Sequence, residues 1–304
     1  PRRSSSAASD VYKRQHSLQY VTFSTTSSWS KLSSIAVMVS AVPVPIRFQV
    51  IGRNNHTRVH QSQVTGYFMS DSEEVPVNRS ELLGHLFGKP ADLPRDEPEI
   101  AANINQQLQH MGLVTWPISV IRRVRDGIYR INPKNVLEVG GGIGHRAAWL
   151  LDLFETQVRP TRYDIVEQGN KFAVIIKRLI DRYEASNWTT IKVGELPTLA
   201  AETMAWKAAT ISGLDGGDAP LITNYDVIIV DDKPETMAKA IESSLPLLSS
   251  DGVLVTTEPM VPTGDVDEGD DERMALVDGF NDWMNLIKVC HKDYYIAFIP
   301  VFEG

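Results

Sequence analysis

Glu138, the glycines at 140, 142 and 144, Glu167, Glu195, Asp231 and Lys233 are the residues of this chain whose types and spacing can do chemistry. The run Val136-Leu137-Glu138-Val139-Gly140-Gly141-Gly142-Ile143-Gly144 joins an apolar, strand-like segment to a glycine turn. A helical segment follows from His145 to Phe154, so the turn reads as a loop that cradles a nucleotide-type cofactor. A dinucleotide fingerprint spaced G-x-G-x-x-G from Gly140 needs a third glycine at 145, where this chain has His145. An acid at 138 would also repel a pyrophosphate. Asp231 and Lys233, in Val230-Asp231-Asp232-Lys233-Pro234, put a base candidate and an oxygen-orienting cation after another apolar strand. Glu167 closes a further strand-like run, and Glu195 follows the next one.

The elements that must position these residues alternate. Strands are predicted at Asn135 to Val139, Arg162 to Glu167, Thr189 to Val193, Asp226 to Val230, Val253 to Thr257, Leu286 to His291 and Tyr294 to Phe302. Helices between them imply a mainly parallel, doubly wound α/β sheet, whose ligands bind beyond the carboxyl ends of the strands. The last two runs are separated only by Lys292 and Asp293, which predicts a C-terminal antiparallel hairpin and seven strands in all. Upstream, residues 69–134 read as a helical cap region. Ser80 to Phe87 is a short helix; a second helix after Pro98 carries Ile100, Ile104, Leu108 and Met111 on one face and ends at Gly112. A third, with Thr115 as cap, carries Ile118, Ile121, Val124 and Ile128.

An acid beside the turn suits S-adenosylmethionine (SAM), which has no phosphate and carries a cationic amino group and a sulfonium. The spacing Glu138, Gly140, Gly142, Gly144 resembles motif I of class I SAM-dependent methyltransferases, and residues 135–304 resemble their domain. The resemblance implies that Glu138 and the loop glycines hold the methionine portion, Glu167 the ribose hydroxyls and Glu195 the adenine side. Asp164 competes with Glu167 for the ribose role from within the strand. Val230-Asp231-Asp232-Lys233 with Thr256-Thr257-Glu258-Pro259 is similar to the catechol and caffeoyl-CoA type O-methyltransferases. Asp231 and Glu258 would allow a divalent metal there, but a third protein ligand is missing, so no metal residue is assigned and metal dependence is not favoured. The reading that follows is methyl transfer to a small molecule at oxygen, with Asp231 and Lys233 at the acceptor. The alternatives are an aminopropyltransferase using decarboxylated SAM and a noncatalytic methyltransferase-like subunit.

Charge and composition bound this reading. Of the 304 residues, 1–68 hold eight Lys or Arg and one acid, Asp10, a net +7, against −15 over the remainder. Residues 1–68 are expected to be a disordered or non-native basic extension rich in Ser and Thr. Pro1 to Gln15 looks like translated adapter sequence and Met69 like a natural start, with a transit peptide, a signal core at Ile35 to Val42 or a genuine basic arm as alternatives. The acidic loop Asp265 to Glu272 would attract a polycation, and the balance disfavours an extended nucleic-acid surface. Arg122, Arg123 and Arg125 form a compact basic cluster, expected to be one helix face laced with salt bridges. No apolar stretch reaches the length of a membrane helix, and a single cysteine, Cys290, excludes an intrachain disulfide; both suit a cytoplasmic protein. Oligomeric state is not legible.

Overall fold

The computed structural model describes residues 33–40, 79–214, 217–259, 266 and 269–301. Strands are β1 (Ser33–Ser40), β2 (Asn135–Val139), β3 (Arg162–Glu167), β4 (Thr189–Val193), β5 (Tyr225–Val230), β6 (Leu248–Thr257) and β7 (Tyr294–Val301). Helices are α1 (Arg79–Phe87), α2 (Glu99–Met111), α3 (Ile118–Ile131), α4 (His145–Thr156), α5 (Asn170–Arg182), α6 (Leu196–Ile211), α7 (Pro234–Ser244) and α8 (Asp271–Cys290). The sheet order is β4-β3-β2-β5-β6-β1-β7, and the first five strands in that order pair in parallel.

The parallel core forms because both faces of each central strand are apolar, as a sheet covered on two sides requires. Side chains alternate across it. Val136, Ile165, Val227, Ile229 and Val255 join one apolar layer with α3, α4 and α5, while Leu137, Val139, Val166, Ile228 and Val230 join the other with α6, α7 and α8. Glu138 shares the face of Val136, which turns its carboxylate towards α4 and the cap helices. Asp226 stitches the amino end of this layer, accepting the Lys134 and Asn135 N–H groups at 2.7 and 2.9 Å.

Two departures correct the sequence reading. Leu286 to His291 is not a strand: α8 runs through it to Cys290, so no C-terminal hairpin forms and β7 enters the sheet alone. Phe280, Trp283, Ile287 and Cys290 are all buried, three or four residues apart, and this helical stripe overrides the β-type residues Ile287 and Val289. In place of the expected hairpin, β1 lies antiparallel between β6 and β7, with Val37 opposite both Val255 and Ala297. Ser33–Ser40 comes from the extension expected to lie outside the fold. Val37 is fully buried. Pro1 to Gln15, Val42, the stretch Met69 to Glu74 and, in the acidic loop, Asp265, Asp267 and Glu268 lie outside the described residues, as does part of the loop Gly213 to Asp218.

The cap helices follow the expected stripes. Gly112 ends α2 with φ +65°, its N–H reaching the Gln109 and Leu108 carbonyls. Met111, placed on that stripe, is exposed at the helix end. Thr115 does not cap α3; Pro117 flanks its start, and the Thr115 hydroxyl turns to His145 instead. In α3, Gly127 leaves room for the Phe87 ring of α1, which a Cβ there would overlap.

Candidate functional site

The glycine turn lies at the carboxyl end of β2, in the middle of the parallel strands. Three of its glycines have left-handed backbone, with φ of +79° at Gly140, +54° at Gly142 and +89° at Gly144. Gly140 is fixed from two sides: its N–H donates to the Val166 carbonyl at 3.0 Å, and a Cβ would collide with the Asp231 carbonyl oxygen. A Cβ at Gly144 would come within 2.9 Å of Leu179. Around Gly142 the space is open, with no atom within 4 Å of an added Cβ.

Glu167 reaches across to this turn from the end of β3. One carboxylate oxygen accepts the Gly142 N–H at 2.7 Å and the other the Gly169 N–H at 2.8 Å. A carboxylate has about four acceptor positions, so each oxygen keeps one for a hydroxyl. Asp164, the competitor for that role, is fully buried and spent on structure. It accepts from Arg162 Nε at 2.6 Å, from the Tyr225 hydroxyl at 2.5 Å and from Thr190. Burial, then Asp164 itself, pushes the Tyr225 hydroxyl far up, so it stays a donor.

Glu138 has no exposed surface and does not face the turn as a free acid. One oxygen lies 3.1 Å from Arg146 Nε and the other accepts the Tyr163 hydroxyl. Burial raises its pKa against the opposing pull of Arg146 and Tyr163. Arg146, 4 % exposed, holds the centre of this arrangement. Its Nη1 donates to Asp231 at 2.7 Å and its Nη2 to the Gly140 carbonyl at 2.9 Å, and its guanidinium sits 4.4 Å from the Trp116 ring centroid. Burial opposes the Arg146 charge, but Glu138 and Asp231 outweigh it and raise the pKa. Arg146 thus ties together two acids that lie 93 residues apart in the chain.

The structure therefore brings together Glu138, Gly140 and Asp231 through Arg146, and Gly142 and Glu167 directly. Asp231 is the open member, with 31 % of its side chain exposed beside the turn. Lys233 is exposed at the start of α7, with its backbone N–H on Asp232, and Glu195 is exposed at the start of α6. Both stand at the carboxyl edge of the sheet, outside the ion-paired cluster. Among the described residues, no group of three or more His, Cys, Asp or Glu converges as a metal site.

The sequence reading missed Arg146, Tyr163, Trp116 and Glu97. One signal pointed to Arg146: a cation in the first turn of a helix opposes the helix dipole and needs a compensating partner. His145 links the cap to the turn. It is 3 % exposed, with Nε2 2.6 Å from Glu97 and Nδ1 3.3 Å from the Thr115 hydroxyl. Burial lowers its pKa more than Glu97 raises it. The neutral ring therefore donates from Nε2 to Glu97 and accepts at Nδ1. Glu97 also accepts Trp149 Nε1 at 3.3 Å.

No protein-family model matches the chain, and no curated protein sequence matches it. Solved structures do. The O-methyltransferase TomG from Streptomyces achromogenes, involved in tomaymycin synthesis and solved with SAM, aligns with a TM-score of 0.50 and 14 % identity over 74 % of this chain and 96 % of its own. An O-methyltransferase from Bacillus cereus solved with S-adenosylhomocysteine (SAH) aligns with a TM-score of 0.46 and 15 % identity over 74 % of this chain and 97 % of its own. The SAH-bound Podospora anserina methyltransferase PaMTH1 aligns with a TM-score of 0.46 and 12 % identity over 77 % of this chain and 99 % of its own. The helical cap and parallel sheet of this chain have the Rossmann-like α/β fold found in the TomG O-methyltransferase.

Proposed function

We propose that the chain is a SAM-dependent methyltransferase acting on a small molecule at oxygen. The observation that carries this reading is the turn after β2. Its backbone is left-handed at three glycines, open at Gly142, and flanked by a Glu167 carboxylate with acceptor capacity to spare. The residues fit SAM. Gly142 leaves room for the cofactor to approach the backbone while Gly144 lets the turn pack on α5, Glu167 takes the ribose hydroxyls, and Glu195 is assigned to the adenine side. Glu138 acts from beneath the turn rather than on the ligand, by holding Arg146. When bound, SAM supplies an electrophilic methyl group on a sulfonium, so positioning supplies much of the rate. Asp231, oriented by Arg146, receives the acceptor hydroxyl as a hydrogen-bond acceptor, and Lys233 orients an acceptor oxygen from the rim. The fit with TomG, a SAM-bound O-methyltransferase, supports the reaction class. Among the described residues no helix is long and apolar enough to cross a membrane. The single cysteine, buried and free at Cys290, suits a cytoplasmic enzyme.

Calorimetric titration with SAM, SAH, decarboxylated SAM and NAD, each with and without chelator, tests the reading. Saturable binding of SAM and SAH, insensitive to chelator, is expected. Preference for decarboxylated SAM would replace it with aminopropyl transfer, and failure to bind either SAM or SAH would overturn it.

A further inference from the structure

The basic cluster of α3 forms one salt bridge among the described residues, Arg125 to Asp126, rather than a face laced with them. Arg125 is satisfied: Nε and Nη2 donate to one Asp126 oxygen at 3.1 and 2.8 Å, and Nη1 donates to the Pro94 carbonyl at 2.8 Å. The other Asp126 oxygen accepts the Ala91 N–H at 2.8 Å, so both oxygens of this acid are held by α3 and the loop before it. Among the described residues Arg122 reaches the Arg95 carbonyl, at 3.3 Å, and Arg130 the Leu86 and Asp126 carbonyls, at 2.6 and 3.4 Å, none of them an acid side chain. Arg123 Nη1 is buried and has no hydrogen-bond partner among the described residues; neither has the hydroxyl of Ser119, a residue 9 % exposed. Both residues line one cleft of about 40 Å³, together with Arg95, Arg122 and Asp126. Burial, with Arg130 and Arg95 nearby, lowers the Arg123 pKa against the pull of Asp126.

An unpaired cation and an unpaired hydroxyl in one cleft ask for the same ligand, an anion with several acceptor oxygens. Guanidinium forks match tetrahedral oxyanions, and charge-assisted donors bind them most strongly. The cleft has room for about three waters, the space of one phosphate group. We propose that this cleft between α3 and the loop at 90–95 binds a phosphate group, through Arg123, Ser119 and Arg122, in a protein whose net charge is −8. The site uses none of the glycine turn, Glu138 or Asp231, and does not rest on the methyl-transfer reading.

Thermal unfolding of the full chain, titrated with inorganic phosphate at constant ionic strength, tests it. Phosphate should raise Tm saturably in the wild type and in a control, Arg178→Gln, on the exposed face of α5. In Arg123→Gln the apparent Kd should weaken at least about tenfold, and in Ser119→Ala by less, as loss of charged and neutral hydrogen bonds respectively predicts. Without phosphate, Arg123→Gln should melt at or above the wild-type temperature, because an unsatisfied buried donor has been removed. A merely structural arginine would lower it. The proposal is overturned if chloride at matched ionic strength or acetate gives the same rise, or if Arg123→Gln responds to phosphate as the wild type does.

Discussion

Arg146→Met tests whether the buried ion cluster is built as described. The substitution keeps length and removes charge, leaving Glu138 without its cation in a site with no solvent exposure. At 3.1 Å the Arg146–Glu138 attraction is about 5 kcal/mol for an effective dielectric near 20, offset by the desolvation of both groups. The Asp231 contact at 2.7 Å adds less, because its side chain is 31 % exposed and water screens it. Losing one partner of a buried pair typically costs about 3–5 kcal/mol. In urea unfolding that is a fall of the midpoint by more than about 1 M, for slopes of roughly 2–3 kcal/mol per molar. The double variant Arg146→Met/Glu138→Gln removes the stranded charge while keeping an acceptor for Tyr163, and should recover most of the loss. Two results would refute the reasoning: a single variant within about 1 kcal/mol of wild type, or a double variant no more stable than the single.

Gly140→Ala drives a Cβ into the Asp231 carbonyl at φ +79° and should cost several kcal/mol in urea unfolding, roughly the sum of overpacking and left-handed strain. Gly142→Ala at φ +54° meets no atom and should cost only about 1–2 kcal/mol, leaving the fold intact for binding assays. Glu167→Ala frees the Gly142 and Gly169 N–H groups and should weaken SAH binding at least about tenfold by calorimetry, with Glu167→Gln intermediate. His145 has a folded pKa below its ordinary 6.5, so the unfolded chain takes up that proton first as pH falls. Its contribution to stability is present above about pH 6.5 and is lost as the pH falls towards the folded value. His145→Gln should therefore flatten the fall of the urea midpoint below pH 6.5, and an unchanged profile would count against the neutral, buried ring.

The parallel strands were legible because each is a short apolar run bounded by turn residues, and the glycine turn because left-handed backbone at 140, 142 and 144 demands that residue type. The end of the chain was not. Ile287 and Val289 favour strand locally, while the helical stripe from Phe280 to Cys290 is visible only when the window extends upstream. β1 was missed because it pairs with residues more than 200 positions away, a partnership no local pattern records. The site split along the same line. Glu167 and Asp231 were singled out from their places at strand ends, and the structure sets both beside the glycine turn. Glu138 was read as an acid beside the loop, whereas its carboxylate turns to Arg146 and Tyr163, which come from other elements, and exposed Glu195 and Lys233 gained no partner that tests their assigned roles.

The contacts of Glu97 carry a consequence for cooperativity. It precedes α2 in the cap region, yet binds His145 and Trp149 on the helix that follows the glycine turn. Lifting the cap would strip a buried tryptophan and a buried histidine of their acceptor at once. The junction at residues 134 and 135 is therefore a boundary along the chain but not a line of weakness: cap and sheet should exchange their amide hydrogens in one opening event and melt in one transition. A ligand that tightens the glycine turn should slow exchange in α2 as well, although α2 contributes none of the residues assigned here to that ligand.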